Sequence, residues 1–164
     1  MAQVILSFED FIRVLNAKSY SSYLDFVQGL HDYMLNNGCK ATFEEKKTGL
    51  FGSYKHIKSK KSVSNLFLKK QGLFVRIYGE NIGKYLDFLN SLPVEMVQSI
   101  DDSHICKRLV NNTCSPKCTG YDFTIGNKHF QKCRYGCFEF IVTNKSKKYI
   151  KSFVENETNA RITI

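Results

Sequence analysis

The sequence predicts an α+β fold: an antiparallel sheet packed against helices, with a C-terminal cysteine-rich β-hairpin and a terminal helix. Three observations carry that prediction. Two apolar stripes of helical period precede residue 38, and short strand-like runs separated by Gly and Lys/Ser clusters follow it. Five cysteines then fall within residues 106–137, around a hairpin signal. With 164 residues, 43% hydrophobic and 24% charged, the chain is long enough to bury a real core. It reads as a single domain, 1–164, with 1–100 as an α+β body and 101–164 as the cysteine-rich hairpin plus C-terminal helix.

Ser7 opens the first helix. Ser7-x-x-Asp10 resembles a capping box with Asp in place of Glu, and Phe8, Phe11, Ile12 and Leu15 make one stripe. A second helix starts near Ser21 or Ser22, with Tyr23, Phe26, Val27, Leu30, Tyr33 and Met34 on its apolar face. Gly38 stops it by accepting the left-handed conformation. Residues 42–57, 63–69 and 73–78 predict three or four antiparallel strands, with exposed turns at 58–61 and Gln71-Gly72. Leu73, Val75 and Ile77 share one strand face; Phe74, Arg76 and Tyr78 share the other. Asn81 is expected to cap a third helix with Tyr85, Phe88, Leu89 and Leu92 inward, and Pro93 to start a further turn through Met96 and Val97. Residues 121–125 and 128–133 alternate around the turn dipeptide Gly126-Asn127, and 138–142 reads as another strand. Asn144 or Ser146 is expected to cap a last helix with Tyr149, Ile150, Phe153 and Val154 inward.

The segment Met1 to Asp10 lacks the basic-then-apolar pattern of a secretory leader, and no apolar run approaches the roughly 18 residues of a membrane span. The expectation is a cytoplasmic protein without membrane contact. In a reducing compartment, clustered thiols favour metal over disulfides.

The layout Cys106, Cys114, Cys118, Cys133, Cys137 contains two Cys-x3-Cys intervals flanking the hairpin, as in a metal-clamped knuckle. If Ile125 opposes Lys128, the same register places Cys118 opposite Tyr135, between Cys133 and Cys137. A continuous strand would hold Cys133 and Cys137 roughly 13 Å apart at about 3.3 Å per residue, so both reach one ion only if the chain bends near Gly136. The preferred zinc ligands are Cys106, Cys114, Cys118 and Cys133, with Cys137 in reserve and His104 as a weaker candidate. Four thiolates leave no open coordination position, so such a zinc is structural rather than catalytic. Lys107, Arg108, Lys132 and Arg134 would offset its charge. Buried free thiols and thiol-redox chemistry are the competing readings. Cys39, isolated behind Gly38, reads as a core residue.

The net charge of +9 is concentrated: residues 40–76 hold ten Lys/Arg against Glu44 and Glu45. Phe51, Tyr54, Phe67, Phe74 and Tyr78 are interleaved with these cations. Lys55, Lys58, Lys60, Lys61 and Arg76 are the candidate contacts to an anion or nucleic acid. The plainer expectation puts the aromatics in the core and the lysines on the wet side of a half-buried sheet. His31 reads as packed, His56 as exposed, and His129 as within reach of the cysteines. No nucleophile elbow, phosphate-binding loop, dinucleotide fingerprint or His-Glu-x-x-His helix occurs.

The segment CKRLVNNTCSPKCTGYDFTIGNKHFQKCRYGCFEF, preceded by GLFVRIYGEN, resembles an uncharacterised family of small bacterial proteins. That resemblance implies a two-layer α+β body ending in a cysteine-bearing hairpin. It adds weight to Cys106, Cys114, Cys118 and Cys133, and it implies no activity. The expected class is a non-enzymatic binding or regulatory module stabilised by structural zinc, its partner a small molecule or a macromolecule. A nucleic-acid binder using the 40–76 sheet and a thiol-redox protein are the alternatives.

Overall fold

A computed structural model describes residues 3–162. Met1 and Ala2, part of the segment read for a leader, lie outside the described residues. Ser7 caps α1 (Phe8–Ala17): its Oγ accepts from Asp10 N at 3.1 Å and donates to the Asp10 carboxylate at 3.0 Å. A 3-10 turn at Ser21–Tyr23 leads into α2 (Leu24–Asn36), which ends at Gly38 with φ +78°. Ahead of α1, a short strand β1 (Val4–Leu6) pairs with the next strand. Its apolar residues lack the alternation that marks a half-buried strand, and only pairing reveals it.

Four strands follow: β2 (Cys39–Lys46), β3 (Gly49–His56), β4 (Ser62–Lys69) and β5 (Gly72–Ile77). The run read as 42–57 is therefore a hairpin folded at Lys47-Thr48; the turn expected within 58–61 is present, and the one expected at Gln71-Gly72 falls a residue earlier, at 70–71, with Gly72 opening β5. A late strand, β8 (Glu139–Ile141), joins β5, giving an antiparallel six-stranded sheet ordered β1-β2-β3-β4-β5-β8. Helices α1, α2 and the last helix pack on one face. That face buries Cys39, Phe43, Leu50, Tyr54, Leu66, Leu73, Val75, Ile77 and Phe140.

Between β5 and the hairpin run a 3-10 turn (Ile82–Lys84), α3 (Leu86–Asn90), α4 (Val94–Asp102) and α5 (Lys107–Asn111). Pro93 is the N-cap of α4, close to the expected start. Asn81 does not cap a helix: its Nδ2 donates instead to the Glu157 carboxylate at 3.1 Å. The hairpin pairs β6 (Tyr121–Ile125) with β7 (Lys128–Lys132), with Ile125 opposite Lys128. Gly126 has φ +58°, as the first central position of a primed turn requires. The closing helix α6 (Lys147–Ile162) is capped by Thr143 and Ser146 reciprocally: Ser146 N donates to Thr143 Oγ1 at 3.0 Å and Thr143 N to Ser146 Oγ at 2.9 Å. Ser146, one of the two expected cap residues, immediately precedes α6, and Thr143 is its reciprocal partner.

One contiguous core joins everything. Tyr121, Phe123 and Phe130 of the hairpin share it with Phe138, Phe153 and the sheet. Because β8 and α6 belong to the body, residue 100 divides the chain less sharply than its composition suggests.

Candidate nucleic-acid interface and cysteine knuckle

The sheet face opposite the helices carries a cross-strand row of aromatics. Phe51 pairs with Phe67 and Phe67 with Phe74, and Ile141 extends the row onto β8. All three phenylalanines are half-buried rather than core residues. The Phe51 and Phe67 rings lie 5.2 Å apart. Cations lean over them: Lys46 Nζ stands 4.6 Å from the Phe51 centroid, Arg76 Cζ 4.7 Å from Phe67, and Lys69 Nζ 4.7 Å from Phe74. Of the aromatics expected in the core, Tyr54 alone of these strands' rings points into it at 0% exposure. Strand parity explains the correction: Phe51, Phe67 and Phe74 alternate out of phase with Leu50, Leu66 and Leu73. Rings and cations therefore share one face.

A second row runs Thr42, Ser53, Asn65, Arg76, Glu139. Arg76 pairs with Glu139 Oε2 at 2.6 Å, and Lys69 also contacts the Glu139 carboxylate. Arg76 lines a cleft with Glu95, Asp102 and Glu139, so that cleft is no place for an anion. Asn65 Nδ2 donates to Tyr78 Oη at 2.9 Å, while Asn65 Oδ1 is buried with no partner among the described residues. At one end of the face a concavity of about 300 Å³ is bounded by Lys46, Phe51, Phe67 and Lys69. At the other, Lys40 opposes Lys55, both exposed. Lys58, Lys60 and Lys61 lie in the exposed β3–β4 turn.

The cysteine knuckle borders this face. Tyr135 meets Tyr78 edge-on at 6.4 Å, and the Arg134 guanidinium sits 5.5 Å from Tyr78 and pairs with Glu80. Beyond the hairpin ladder, Ile105 bridges to Lys132; Cys106 N donates to Gln131 O at 2.9 Å and Cys133 N to His104 O at 2.9 Å. Strand parity then puts Cys106 and Cys133 on one side and Lys132 on the other. Lys132 is buried there, its Nζ donating to Asp101 O at 2.6 Å and Ser103 O at 2.9 Å at the C-terminal end of α4.

Desolvation pushes the Cys118 thiol up first, and the negative ends of Cys114, Cys106 and Cys133 add to that, with Arg134 opposing. These are the four preferred cysteines. Arg108 donates to Cys118 O, tying the loop to α5. Gly120 is required for this closeness, since a Cβ there would lie 2.2 Å from Cys106 Sγ. The paired ladder stops at Tyr121, so Cys118 does not reach Tyr135 by strand register. The chain does bend after Cys133: Cys137 N donates to Cys133 O at 3.1 Å. Cys137 is fully buried in the core, and burial pushes its thiol up. All six cysteines are free thiols, Cys114 exposed and Cys39 buried. Among the described residues, no three His, Cys, Asp or Glu side chains are drawn into a set that would hold a metal as they stand.

His31 is packed as expected, stacked on Phe8 at 3.6 Å with Nδ1 3.1 Å from Tyr54 Oη. His129 turns away from the cysteines to Asp122. Sequence reasoning missed the pair Glu157–Arg161, 2.8 Å apart with side chains 0% and 6% exposed. Glu157 also accepts from Glu80 N, Asn81 N and Tyr85 Oη. The available signal was phase: residue 157 continues the apolar stripe Ile150, Phe153, Val154. No family model, curated protein or solved structure matches this chain. The bacterial family expected from the cysteine segment thus has no counterpart among them. No described helix is long and apolar enough to cross a membrane.

Proposed function

We propose that this protein is a non-enzymatic binding module whose open sheet face takes single-stranded nucleic acid, with a structural zinc fixing the knuckle at its border. The observation that carries the reading is the half-buried row Phe51–Phe67–Phe74 sharing one face with Lys46 and Lys69, whose pairing with Glu44 and Glu139 a phosphate would replace. Bases stack on aromatic faces regardless of sequence, and lysines track the phosphates. Lys40 and Lys55 lie on the same face, and the exposed Tyr135 ring, seated on the buried Tyr78, stands at its border with the knuckle. A duplex, whose bases are already stacked, gains nothing from such a row.

Zinc held by Cys106, Cys114, Cys118 and Cys133 draws support from the shared side of Cys106 and Cys133 across the Ile105–Lys132 bridge and from Arg108, which is bound to the Cys118 carbonyl. It would fix the turn that presents Arg134 and Tyr135. A thiol-redox role needs a thiol held low. Burial pushes Cys39, Cys118 and Cys137 up, which disfavours those three thiols for it. The cytoplasm is the compartment this chemistry suits.

Fluorescence anisotropy with labelled oligothymidine tests the reading. Affinity should fall steeply with added salt, with duplex of the same length binding far more weakly. Salt-independent binding, or equal affinity for duplex, contradicts it.

A further inference from the structure

Away from the open face, the β3–β4 turn, the loop after β5 and the end of α6 enclose a cavity of about 450 Å³, with Lys58, Ser59, Lys61, Glu80 and Arg161 in its wall. Its charge is unbalanced. Glu80 is bound by Arg134, and Glu157 is bound by Arg161. Neither Lys58 nor Lys61 has an ion-pair partner among the described residues. The turn that carries them is fixed: His56 N donates to Lys61 O at 2.9 Å, Lys60 N to His56 O at 2.8 Å, and His56 Nδ1 lies 2.9 Å from Ser59 Oγ.

Arg161 supplies an independent observation. Its side chain is 6% exposed, Nε donates to Glu157, and Nη2 donates to Ser62 O and Tyr78 O. Nη1 is buried with no hydrogen-bond partner among the described residues. A guanidinium N–H without an acceptor is costly in a low-dielectric wall, and it has a defined use if an anion enters. The geometry points to a phosphate-monoester site here, taken by Lys58, Lys61 and the Ser59 hydroxyl from the turn and backed by Arg161. A dianionic phosphate matches two unpaired ammonium groups, a hydroxyl donor and a fixed guanidinium.

The site does not depend on the open-face reading. Isothermal titration of the full chain with inorganic phosphate, at constant ionic strength against chloride, should show saturable uptake of one ion. Lys58→Ala/Lys61→Ala, on an exposed turn, should keep the fold and weaken uptake about tenfold or more, the equivalent of one charge-assisted hydrogen bond. Phe67→Ala should leave it unchanged. Absence of saturable uptake, uptake indifferent to the double substitution, or uptake lost in Phe67→Ala each overturns the assignment. Two sources share this chemistry. Tighter binding of a 5′-phosphorylated strand than of its 5′-hydroxyl twin, competed by phosphate, assigns the site to a strand end. Equal binding of the two strands, with phosphate still taken up, assigns it to a small phosphorylated molecule.

Discussion

At the scale of single residues, two buried polar groups set measurable properties. Burial holds His31 below the usual imidazole range, against the opposing charges of Asp32 and Glu9. The unfolded chain therefore takes up the proton first as pH falls. The stability His31 contributes is fully present above about 6.5 and is lost as pH falls from there toward the depressed value. Urea midpoints measured between pH 7.5 and 4.5 should show that slope in the parent chain and a shallower one in His31→Gln; parallel slopes contradict the assignment. Glu157 is the second group. Glu157→Gln leaves Arg161 buried without its counter-charge and weakens the anchors on Asn81 and Tyr85. Equilibrium unfolding should show a loss of about 3–5 kcal/mol. A loss under about 1 kcal/mol, the range of exposed pairs, would mean that water reaches the site.

At the scale of elements, the sequence was informative wherever a local signal decided the outcome. Ser7 capped its helix, Gly38 ended the next, and Gly126-Asn127 set the hairpin register without error. Position in the sheet was less legible. The alternation of β3, β4 and β5 reveals that two faces exist, but not that the helices cover the face of Leu50, Leu66 and Leu73. The plainer expectation places Phe51, Phe67 and Phe74 in the core for that reason. Likewise, β8 is recognisable as a strand, while its pairing with β5 depends on a contact more than sixty residues away in sequence. For the knuckle, parity across the Ile105–Lys132 bridge puts Cys106 on the same side as Cys133; both Cys106 and Cys137 are buried, Cys137 within the central core. Protein purified without added metal should carry about one zinc per chain. Cys106→Ser should lose it. Cys137→Ala should retain it while unfolding at lower denaturant, because it empties part of the core. Zinc lost with Cys137 but kept without Cys106 would overturn the ligand set.

At the scale of the whole molecule, the sheet has a division of labour. One face carries the apolar core under α1, α2 and α6. The other carries rings and cations, edged at one end by the knuckle and at the other by Lys46 and Lys69. A protein that needed only stability would gain little from keeping three phenylalanines half-exposed under cations. Anisotropy of a labelled oligothymidine, titrated with the parent chain and with Phe67→Ala, tests this most directly, since Phe67 is central to the row and contributes little to the core. The parent should bind saturably and the variant should lose about 1–3 kcal/mol of affinity, with the unfolding midpoint nearly unchanged. Equal affinity of the two proteins for the strand, or no binding by the parent at low salt, would contradict it.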